Sequence, residues 1–487
     1  MKYRIIFNIV GKILLLEAVV LFLPLFVSII YREGWRLALS YILPSLLIFG
    51  VGILLNVKKA EDVKMKARDG FVIVTLSWIL MSLFGTLPLM ISKDIPNFFD
   101  AFFEITSGFT TTGASVLSNV ETLHKSIMFW RCFSHWLGGM GILVLILAFI
   151  PESSDGSTVH ILRAESTGPQ VGKLVSKIKV SSRILYLIYA GITFAEFVLL
   201  LIGPDKNIGV FEAMVLAFSN AGTGGFAPLS SSIITYSAYT QYVIGIFMVL
   251  FSINFTLYYL IIIGKVKDAL KSEEFRFFGV IVLASVAIIC ISIIKLYNSF
   301  WEAFRLSFFE VAATVSTTGF TAADFNEWPS IAQWVIIILM FIGGCAGSTG
   351  GGMKVSRIAL LLKNAVYKIK KMINPRHVKV LKFEGVPVSD EVIESTQNFF
   401  IIYMLLIGIV TLFISALNPT VDILSNFTAT LSCISNVGPA MSKVGNFGDF
   451  SFYSPFSKII FSLLMVAGRL EIYPLLILFA PVSWRKA

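Results

Sequence analysis

Ten long apolar runs are the feature of this sequence that most restricts its fold. An α-helix rises about 1.5 Å per residue, so about 20 apolar residues cross the hydrocarbon core of a bilayer. Most of the runs reach that length, and only 14% of the 487 residues are charged, too few to cover a soluble protein of this size. The sequence therefore predicts an all-α, polytopic membrane protein surrounded by a lipid bilayer. The runs cover roughly residues 5–30, 38–56, 70–91, 126–150, 184–203, 239–263, 277–294, 331–343, 399–417 and 456–482.

Basic residues are concentrated in alternate loops. The loops that begin near residues 58, 163, 265 and 354 are rich in Lys and Arg, the chain ends in Trp484-Arg485-Lys486, and the loops between are poorer. Because basic loops of membrane proteins stay in the cytoplasm, both termini are expected there, which requires an even number of crossings. The net charge of +10 is then a property of membrane topology, and no nucleic-acid partner is expected.

An internal repeat organises the chain into four units. Glu104 precedes Gly113 by the same nine-residue step that separates Glu310 from Gly319. Segments around Gly222 and Gly438 fit the same pattern more loosely. Each segment is short and lies between two apolar runs, which is typical of a re-entrant half-helix. We predict four units of spanning helix, half-helix, filter strand and spanning helix at residues 70–150, 184–263, 277–363 and 396–482.

Two further transmembrane helices are expected in residues 1–60, and a cytoplasmic basic loop in residues 364–395. With two full spans in each unit, ten spans follow, an even number that agrees with both termini inside. Of the four units, only the third is expected to have a broken second helix.

The four glycine-containing strands suit cation binding. Irregular backbone inside a membrane must be surrounded by protein or line a water-filled cavity. Glycine permits backbone angles that let successive carbonyl oxygens face one axis, and four such strands form oxygen rings that replace the hydration shell of K⁺. The candidate filter residues are Thr110, Thr111, Thr112, Gly113, Asn220, Ala221, Gly222, Thr223, Gly224, Gly225, Ser316, Thr317, Thr318, Gly319, Ser435, Asn436, Val437 and Gly438.

Within these strands a smaller set is expected to coordinate K⁺. The second strand holds three glycines, so its register stays open between Gly222, which matches the Ser-Asn-x-Gly of the fourth strand, and Gly225, which matches the Gly-Phe of the third. The expected K⁺ ligands are Thr111, Thr112, Gly113, Ala221, Gly222, Thr317, Thr318, Gly319, Asn436, Val437 and Gly438.

A glycine-rich segment interrupts the second helix of the third unit. Six of its ten residues are glycine, and each costs nearly 1 kcal/mol relative to Ala in a helix interior. The segment either joins two separate short helices or forms a flexible loop inside the membrane. No Gly-Lys-Ser/Thr occurs and no strand precedes it, so no nucleotide site is expected on this chain. The segment consists of Gly343, Gly344, Cys345, Ala346, Gly347, Ser348, Thr349, Gly350, Gly351 and Gly352.

Arg469 lies in the middle of the last apolar run. A charge at the bilayer centre costs at least about 2.5 kcal/mol, so Arg469 must face either the pore or a buried partner on another helix. Glu104 and Glu310, within the half-helices, are expected to cap or pair locally.

On these motifs the chain resembles the TrkH/TrkG/KtrB superfamily of K⁺ transporters, and most closely the TrkH branch, which has two extra N-terminal helices. The resemblance implies K⁺ uptake across a bacterial inner membrane by a homodimer with one pore per subunit. It also implies regulation by a cytosolic TrkA-type ring subunit that binds nucleotides. In this family Gly at the position of Gly113 goes with K⁺ selectivity, and Ser there, in some plant relatives, with Na⁺ permeation.

The resemblance further implies that residues 343–352 form an intramembrane gate, with Arg469 nearby on the pore. Coupling of K⁺ flux to H⁺ or Na⁺, as opposed to channel-like flux, stays open. A membrane enzyme would need converging His, Asp, Glu or Lys residues, and the sequence offers no such set. A voltage-gated channel would need a helix with Arg or Lys at every third residue, which is not found either.

Overall fold

The structure is a computed structural model that describes residues 3–57, 67–141, 178–374, 380–445 and 448–481. The expectations for basic residues in 58–66, 142–177 and 375–379, and for the basic C-terminal end, lie outside the described residues. So does the C-terminal part of the predicted run 126–150.

Three N-terminal helices precede the predicted units: Tyr3–Val20, Phe22–Ile30 and Trp35–Asn56. The first and third cross where Gly11 and Gly52 face each other's helix, and a side chain at either position would overlap the opposite helix. Small residues allow this close approach of helices in a membrane. Tyr3–Val20 packs against Ala67–Gly85, and Trp35–Asn56 packs against Leu87–Ser92, so these helices are an addition to the outside of the first unit.

The remaining helices repeat one order of elements. A first helix leads to a half-helix, an irregular segment and a second helix. The first helices are Ala67–Gly85, Ile178–Leu201, Glu273–Ile293 and Asp390–Leu417. The half-helices, numbered 1 to 4, are Phe98–Phe109, Val210–Ala221, Phe300–Val315 and Ile423–Ser435. The second helices are Lys125–Gly139, Ala238–Phe251 with Phe255–Ile262, Ser330–Ile342 with Val355–Ile373, and Pro455–Arg469 with Tyr473–Phe479.

Short elements connect these helices. In the described residues they are the helices Leu87–Ser92 and Val266–Lys271, the 3₁₀ turns Phe325–Glu327 and Ser442–Val444, and a two-stranded antiparallel hairpin of Lys382–Phe383 with Val386–Pro387.

The half-helices begin at N-caps. The side chains of Asn97, Ser299 and Asp422 each accept a hydrogen bond from a backbone N–H in the first turn of half-helices 1, 3 and 4. Such caps satisfy backbone donors that would otherwise lack a partner. They fix the first turn of these three half-helices and thereby the position at which each C-terminal end lies.

The four units close into a ring. Half-helix 2 packs against the second helix of unit 1, half-helix 3 against that of unit 2, and half-helix 4 against that of unit 3. Half-helix 1 packs against Pro455–Arg469, the second helix of unit 4. One chain therefore surrounds one axis in the order 1-2-3-4, and the C-terminal ends of all four half-helices face that axis.

The second helices of units 2 and 4 are broken in addition to that of unit 3. Among the described residues, six helices or continuous helix pairs are long and apolar enough to cross a membrane, or seven if the pair Ala238–Phe251 and Phe255–Ile262, bent by 91°, is one span. The sequence pointed to a break in unit 3 alone. Units 2 and 4 break as well, because Asn254 caps a new helix by accepting from Thr256 N and because Glu471 and Ile472 adopt left-handed backbone angles.

Candidate functional site

The segments that follow the half-helices share one backbone conformation. We call 110–113, 222–225, 316–319 and 435–438 filter segments 1 to 4. In each, the N–H of the third residue donates to a carbonyl in the last turn of its half-helix at 2.9–3.0 Å. In each, the second and fourth residues have positive φ. Thr at positive φ is strained, and such strain persists at functional sites because the surroundings enforce it.

This shared conformation resolves the register of the second strand. Thr223 and Gly225, with φ of 55° and 81°, match Thr111 and Gly113, with φ of 57° and 79°. Gly225 is therefore the equivalent of Gly113, as the Gly-Phe match suggested. Asn220 and Ala221, expected in the strand, instead lie in the last turn of half-helix 2. Asn220 donates to Glu196 Oε1 (2.5 Å) and to the carbonyl of Ile244 (3.2 Å), both on neighbouring helices.

The fourth residue of each filter segment lies against the next segment. A methyl group on Gly113 would overlap the carbonyl oxygen of Gly224, and one on Gly225 the carbonyl oxygen of Thr318. The same relation joins Gly319 to Val437, and Gly438 returns to Thr112. The contacts thus run once around the ring, and glycine is required because a Cβ would occupy the space of a neighbouring carbonyl.

Hydrogen bonds between the loops that follow the filter segments also join each unit to a neighbouring unit. Ser230 N donates to Glu121 Oε1 (2.8 Å), Thr321 N to Ser232 Oγ (3.1 Å), Ser442 N to Asn326 Oδ1 (2.9 Å) and Ser118 Oγ to Asp449 Oδ2 (2.6 Å). Burial acts to raise the pKa of Glu121, but the hydroxyl and amide of Ser230 outweigh it and hold this pKa below its usual range. Each unit is therefore tied to the next at the outer rim as well as at the filter.

Glu104 and Glu310 hold the chain as it leaves filter segments 1 and 3. Glu104 accepts from Val116 N (2.9 Å) and pairs with Arg131 (2.5 Å), a residue 1% exposed. Glu310 accepts from the backbone N–H of Ala322 (2.7 Å) and Ala323 (3.2 Å). Both carboxylates thus bind donors in the segment that follows their own filter segment, and Glu104 also binds Arg131.

His135 explains the extra glycines of filter segment 2. Its ring stacks on Phe226 with centroids 4.2 Å apart, and its Nδ1 lies 3.0 Å from Ser219 Oγ. A methyl group on Gly224 would overlap this ring, and one on Gly222 would overlap the His135 carbonyl. His135 was not singled out by the sequence analysis. The three glycines of the strand were the signal that a bulky group lies behind it.

The glycine-rich segment 343–352, which we call the intramembrane loop, lies at the inner end of the filter. The N–H of Gly351 donates to Thr317 Oγ1 (2.6 Å), and the N–H of Gly352 donates to the carbonyl of Ser435 (2.8 Å). Gly350 packs against the carbonyl of Ser316, at a distance that leaves little room for a side chain. The loop therefore contacts filter segments 3 and 4 directly.

Other contacts of the loop come from the helices around it. Cys345 N donates to the carbonyl of Ser252 (3.0 Å) and Thr349 Oγ1 to that of Phe251 (3.0 Å), both exposed by the break in the second helix of unit 2. Glu274, at the start of Glu273–Ile293, accepts from Ala346 N (2.7 Å) and from Ser356 N (3.1 Å), one near each end of the loop. Lys354, 2% exposed, donates to the carbonyl of Gly350. Sequence reasoning missed Glu274 and Lys354.

Arg469 joins the loop to the first unit. Its guanidinium donates to the carbonyl of Thr349 (2.8 Å) and to those of Gly138 and Gly139 at the end of helix Lys125–Gly139. Carbonyls at a helix C-terminus lack intrahelical partners and carry partial negative charge, which favours a cation there. Glu471 pairs instead with Arg357 (2.5 Å), so Arg469 and Glu471 bind different partners.

Metal-binding side chains are not part of this arrangement. Within the described residues, no group of three or more His, Cys, Asp or Glu side chains could hold a metal ion. Backbone carbonyls and hydroxyls of the filter segments are what the site presents to a cation.

Comparison with known proteins covers the whole chain. Residues 44–486 match the family model of TrkH, a cation transport protein. The chain is 33% identical to the Trk system potassium uptake protein TrkH of Salmonella typhimurium and 34% identical to that of Vibrio parahaemolyticus, with 100% of both chains covered. It is 30% identical to the Trk system potassium uptake protein TrkG of Escherichia coli, over 99% of both chains.

Its fold is similar to that of a solved transporter. The crystal structure of the potassium transporter TrkH from Vibrio parahaemolyticus superposes with a TM-score of 0.88 at 32% identity, and the match covers 100% of each chain.

Proposed function

The chain belongs to the TrkH family of cation transport proteins, and from this premise we propose that it takes up K⁺ through one pore lined by the four filter segments. The predictions of a polytopic, all-α membrane protein and of a transporter in place of an enzyme are confirmed by the family. The K⁺ substrate is supported by the relatives, which are potassium uptake proteins.

One observation carries the proposal of a filter: the fourth-position glycine of every segment lies against a carbonyl of the next, and the contacts close after four steps. Carbonyls packed around one axis can replace the hydration shell of K⁺. The C-terminal ends of the half-helices add partial negative charge on the inner side, which favours a dehydrated cation without a charged side chain. By resemblance to the family, Gly113 favours a K⁺-selective transporter over a Na⁺-selective one.

The intramembrane loop is proposed to be the gate. It fills the space at the inner end of the filter and touches two of its four segments. Arg469 holds the loop at Thr349 and places a positive charge there. Two like unit charges about 4 Å apart repel by about 4 kcal/mol at an effective dielectric of 20, so Arg469 adds a barrier to K⁺ that leaves the filter.

The orientation proposed from the charge pattern puts the half-helix N-termini outside and the loop toward the cytoplasm of a bacterial inner membrane, with both termini cytoplasmic. Helix Val355–Ile373 starts directly after the loop and ends in exposed lysines, Lys370 and Lys371. We propose that a cytosolic TrkA-type nucleotide-binding subunit docks there and acts on the loop, and that two copies of the chain form a homodimer.

The test is ion flux in liposomes that contain the purified chain. Flux of K⁺, Rb⁺, Na⁺ and Li⁺ is measured with and without an imposed pH gradient. Flux of K⁺ and Rb⁺ well above that of Na⁺ and Li⁺ is expected. Equal flux of all four ions in folded protein would contradict a carbonyl filter, and dependence of K⁺ flux on the pH gradient would show H⁺ coupling.

A further inference from the structure

The second position of the filter segments is occupied by Thr111, Thr223, Thr317 and Asn436, all with φ between 55° and 59°. Their backbones are alike, but their side chains make different contacts. Thr223 Oγ1 donates to the carbonyl of Gly222 (2.6 Å), and Asn436 Nδ2 donates to Thr112 Oγ1 (2.9 Å) and to the carbonyl of Met465 (3.0 Å). Thr111 Oγ1 has no hydrogen-bond partner among the described residues.

Thr317 differs from the other three because its hydroxyl contacts the intramembrane loop. Thr317 Oγ1 accepts from the N–H of Gly351 at 2.6 Å, and Thr317 is fully buried. The adjacent N–H, of Gly352, donates to the carbonyl of Ser435. Two successive loop amides thus reach the filter, and only one of them depends on a side chain.

The first of these contacts is costly to lose while the loop stays in place. A backbone N–H that is buried without a partner is destabilising by more than the net value of the bond itself. Gly351 also packs closely against the carbonyl of Ser435, where a Cβ would not fit. Once the loop leaves the filter, water in the pore can satisfy the same N–H.

We propose that Thr317 is the latch of the intramembrane loop: its hydroxyl holds Gly351 and thereby keeps the loop against the filter. This inference rests on the proposed gating function. Thr317 is a positioning residue for the loop in addition to its place in the filter, and unit 3 alone among the four filter segments has this role. Loop opening and the third filter segment are then coupled through one hydrogen bond.

The latch makes a quantitative prediction. Thr317→Val keeps the branched shape and the backbone preference but removes the acceptor. Loss of one such contact is expected to raise the open fraction of the loop about tenfold, which corresponds to about 1.4 kcal/mol. Thr317→Ser keeps a hydroxyl and is expected to restore the wild-type value.

Loop opening can be measured without ion flux. Cys345 is a native residue of the loop and is 1% exposed. With the other three cysteines, Cys132, Cys290 and Cys433, replaced by Ala, the rate at which a water-soluble maleimide modifies Cys345 in the reconstituted full-length chain reports on opening. The expected rate is about tenfold higher in Thr317→Val than in the parent. Thr317→Ala is the second variant if the valine protein does not fold.

Thr111→Val is the matched control. Thr111 has nearly the same φ and burial, but its hydroxyl makes no hydrogen bond among the described residues, so the rate of Cys345 modification is expected to stay at the parent value. Equal rates in Thr317→Val, Thr317→Ala and the parent would overturn the latch. So would an equal increase in Thr111→Val, because the effect would then come from general filter damage.

Flux measurements separate the latch from the gate on which it rests. A faster Cys345 reaction with faster K⁺ flux supports both. A faster reaction with unchanged flux supports the latch but rejects the loop as the gate. Faster flux on partial deletion of the loop, together with unchanged Cys345 reactivity in both Thr317 variants, keeps the gate and overturns the latch.

Discussion

The filter segments and the intramembrane loop are both irregular, glycine-containing backbone inside the membrane, yet they are held in different ways. Each filter segment packs against the next one, and the contacts close into a ring of four segments. The loop is held by hydrogen bonds with residues around it: Thr317, Ser435 and Glu274 accept from loop amides, and Lys354 and Arg469 donate to loop carbonyls.

This difference agrees with the roles proposed for the two regions, ion selection by the filter segments and gating by the loop. Distortion of one filter segment must displace its neighbours, so the ring is stiff. Every hydrogen bond between the loop and a side chain can be replaced by a bond to water, so the contacts themselves would permit the movement that gating requires. Substitutions in and around the filter should therefore cost stability or selectivity, whereas substitutions around the loop should change rate.

The largest effect is expected at the brace of the filter. Glu104→Gln leaves the buried Arg131 guanidinium without its carboxylate, and removal of one partner of a buried pair costs about 3–5 kcal/mol. The apparent melting temperature of the detergent-solubilised protein should fall sharply. Glu310→Gln is the matched variant, since Glu310 binds backbone amides, and we expect a loss of about 1 kcal/mol or less. Equal losses would show that the Arg131 pair does not stabilise the filter.

The next effect concerns ion selectivity. Gly113→Ser places a Cβ where the carbonyl oxygen of Gly224 lies, at a φ of 79°. The oxygen rings must distort, and discrimination between K⁺ and Na⁺ should fall about tenfold or more, since each 1.4 kcal/mol is a factor of ten. Competition of Na⁺ with ⁸⁶Rb⁺ flux measures it. Gly408→Ser, on a helix position with no atom near the new Cβ, should leave selectivity as it was. Full discrimination in Gly113→Ser would remove segment 1 from the filter.

Changes to the intramembrane loop are expected to raise K⁺ flux and to leave ion selectivity unchanged. Partial deletion of Gly347–Gly351 removes the N–H of Gly351 and the carbonyl of Thr349, which bind Thr317 and Arg469. We expect K⁺ flux in liposomes without a partner subunit to rise about tenfold, with unchanged K⁺/Na⁺ discrimination. A folded deletion variant with flux at or below wild type would reject the loop as a gate.

A smaller increase is expected from Arg469→Ala. This change removes one of several contacts of the loop, together with a positive charge on the pore. K⁺ flux should rise severalfold, about 1 kcal/mol in the barrier. Arg469→Lys keeps the charge but cannot reach Thr349, Gly138 and Gly139 together, so it separates the two causes. Flux below wild type in Arg469→Ala would mean that the guanidinium assists conduction.

The smallest effect is expected in docking. Lys370→Glu with Lys371→Glu reverses two exposed charges on the helix that follows the loop. Affinity for a TrkA-type subunit should fall about tenfold or less in a pull-down titration, while flux without the subunit stays constant. Glu substitutions of Lys206 and Lys295, exposed residues in loops on the opposite face, are the control. Unchanged affinity would place the interface elsewhere.

Much of the fold was predictable because its signals are local. Apolar runs marked the first helices, and the Glu-to-Gly spacing marked half-helices 1 and 3. The breaks at Ser252–Asn254 and at Glu471–Ile472 were not predictable, since they depend on partners far along the chain, such as Cys345 and Arg357.

In the candidate site, too, some features could be predicted from local sequence and others could not. Filter positions with glycine could be found from sequence, and their function stays a prediction. The register of segment 2 needed backbone angles, because three glycines fit two alignments equally well. The roles of His135, Glu274 and Thr317 arise from contacts across 84, 72 and 34 positions of sequence, which no local pattern reveals.

The closure of four units within a single chain has a consequence for how such a pore can evolve. In a pore of four identical chains, one codon change alters every quarter of the ring at once. Here one codon change alters one quarter, so its free-energy effect is about a fourth as large and selection can act on each quarter separately. Because each mutation has this smaller effect, the quarters can differ in structure. A histidine lies behind the second filter segment, and the intramembrane loop contacts the third and fourth.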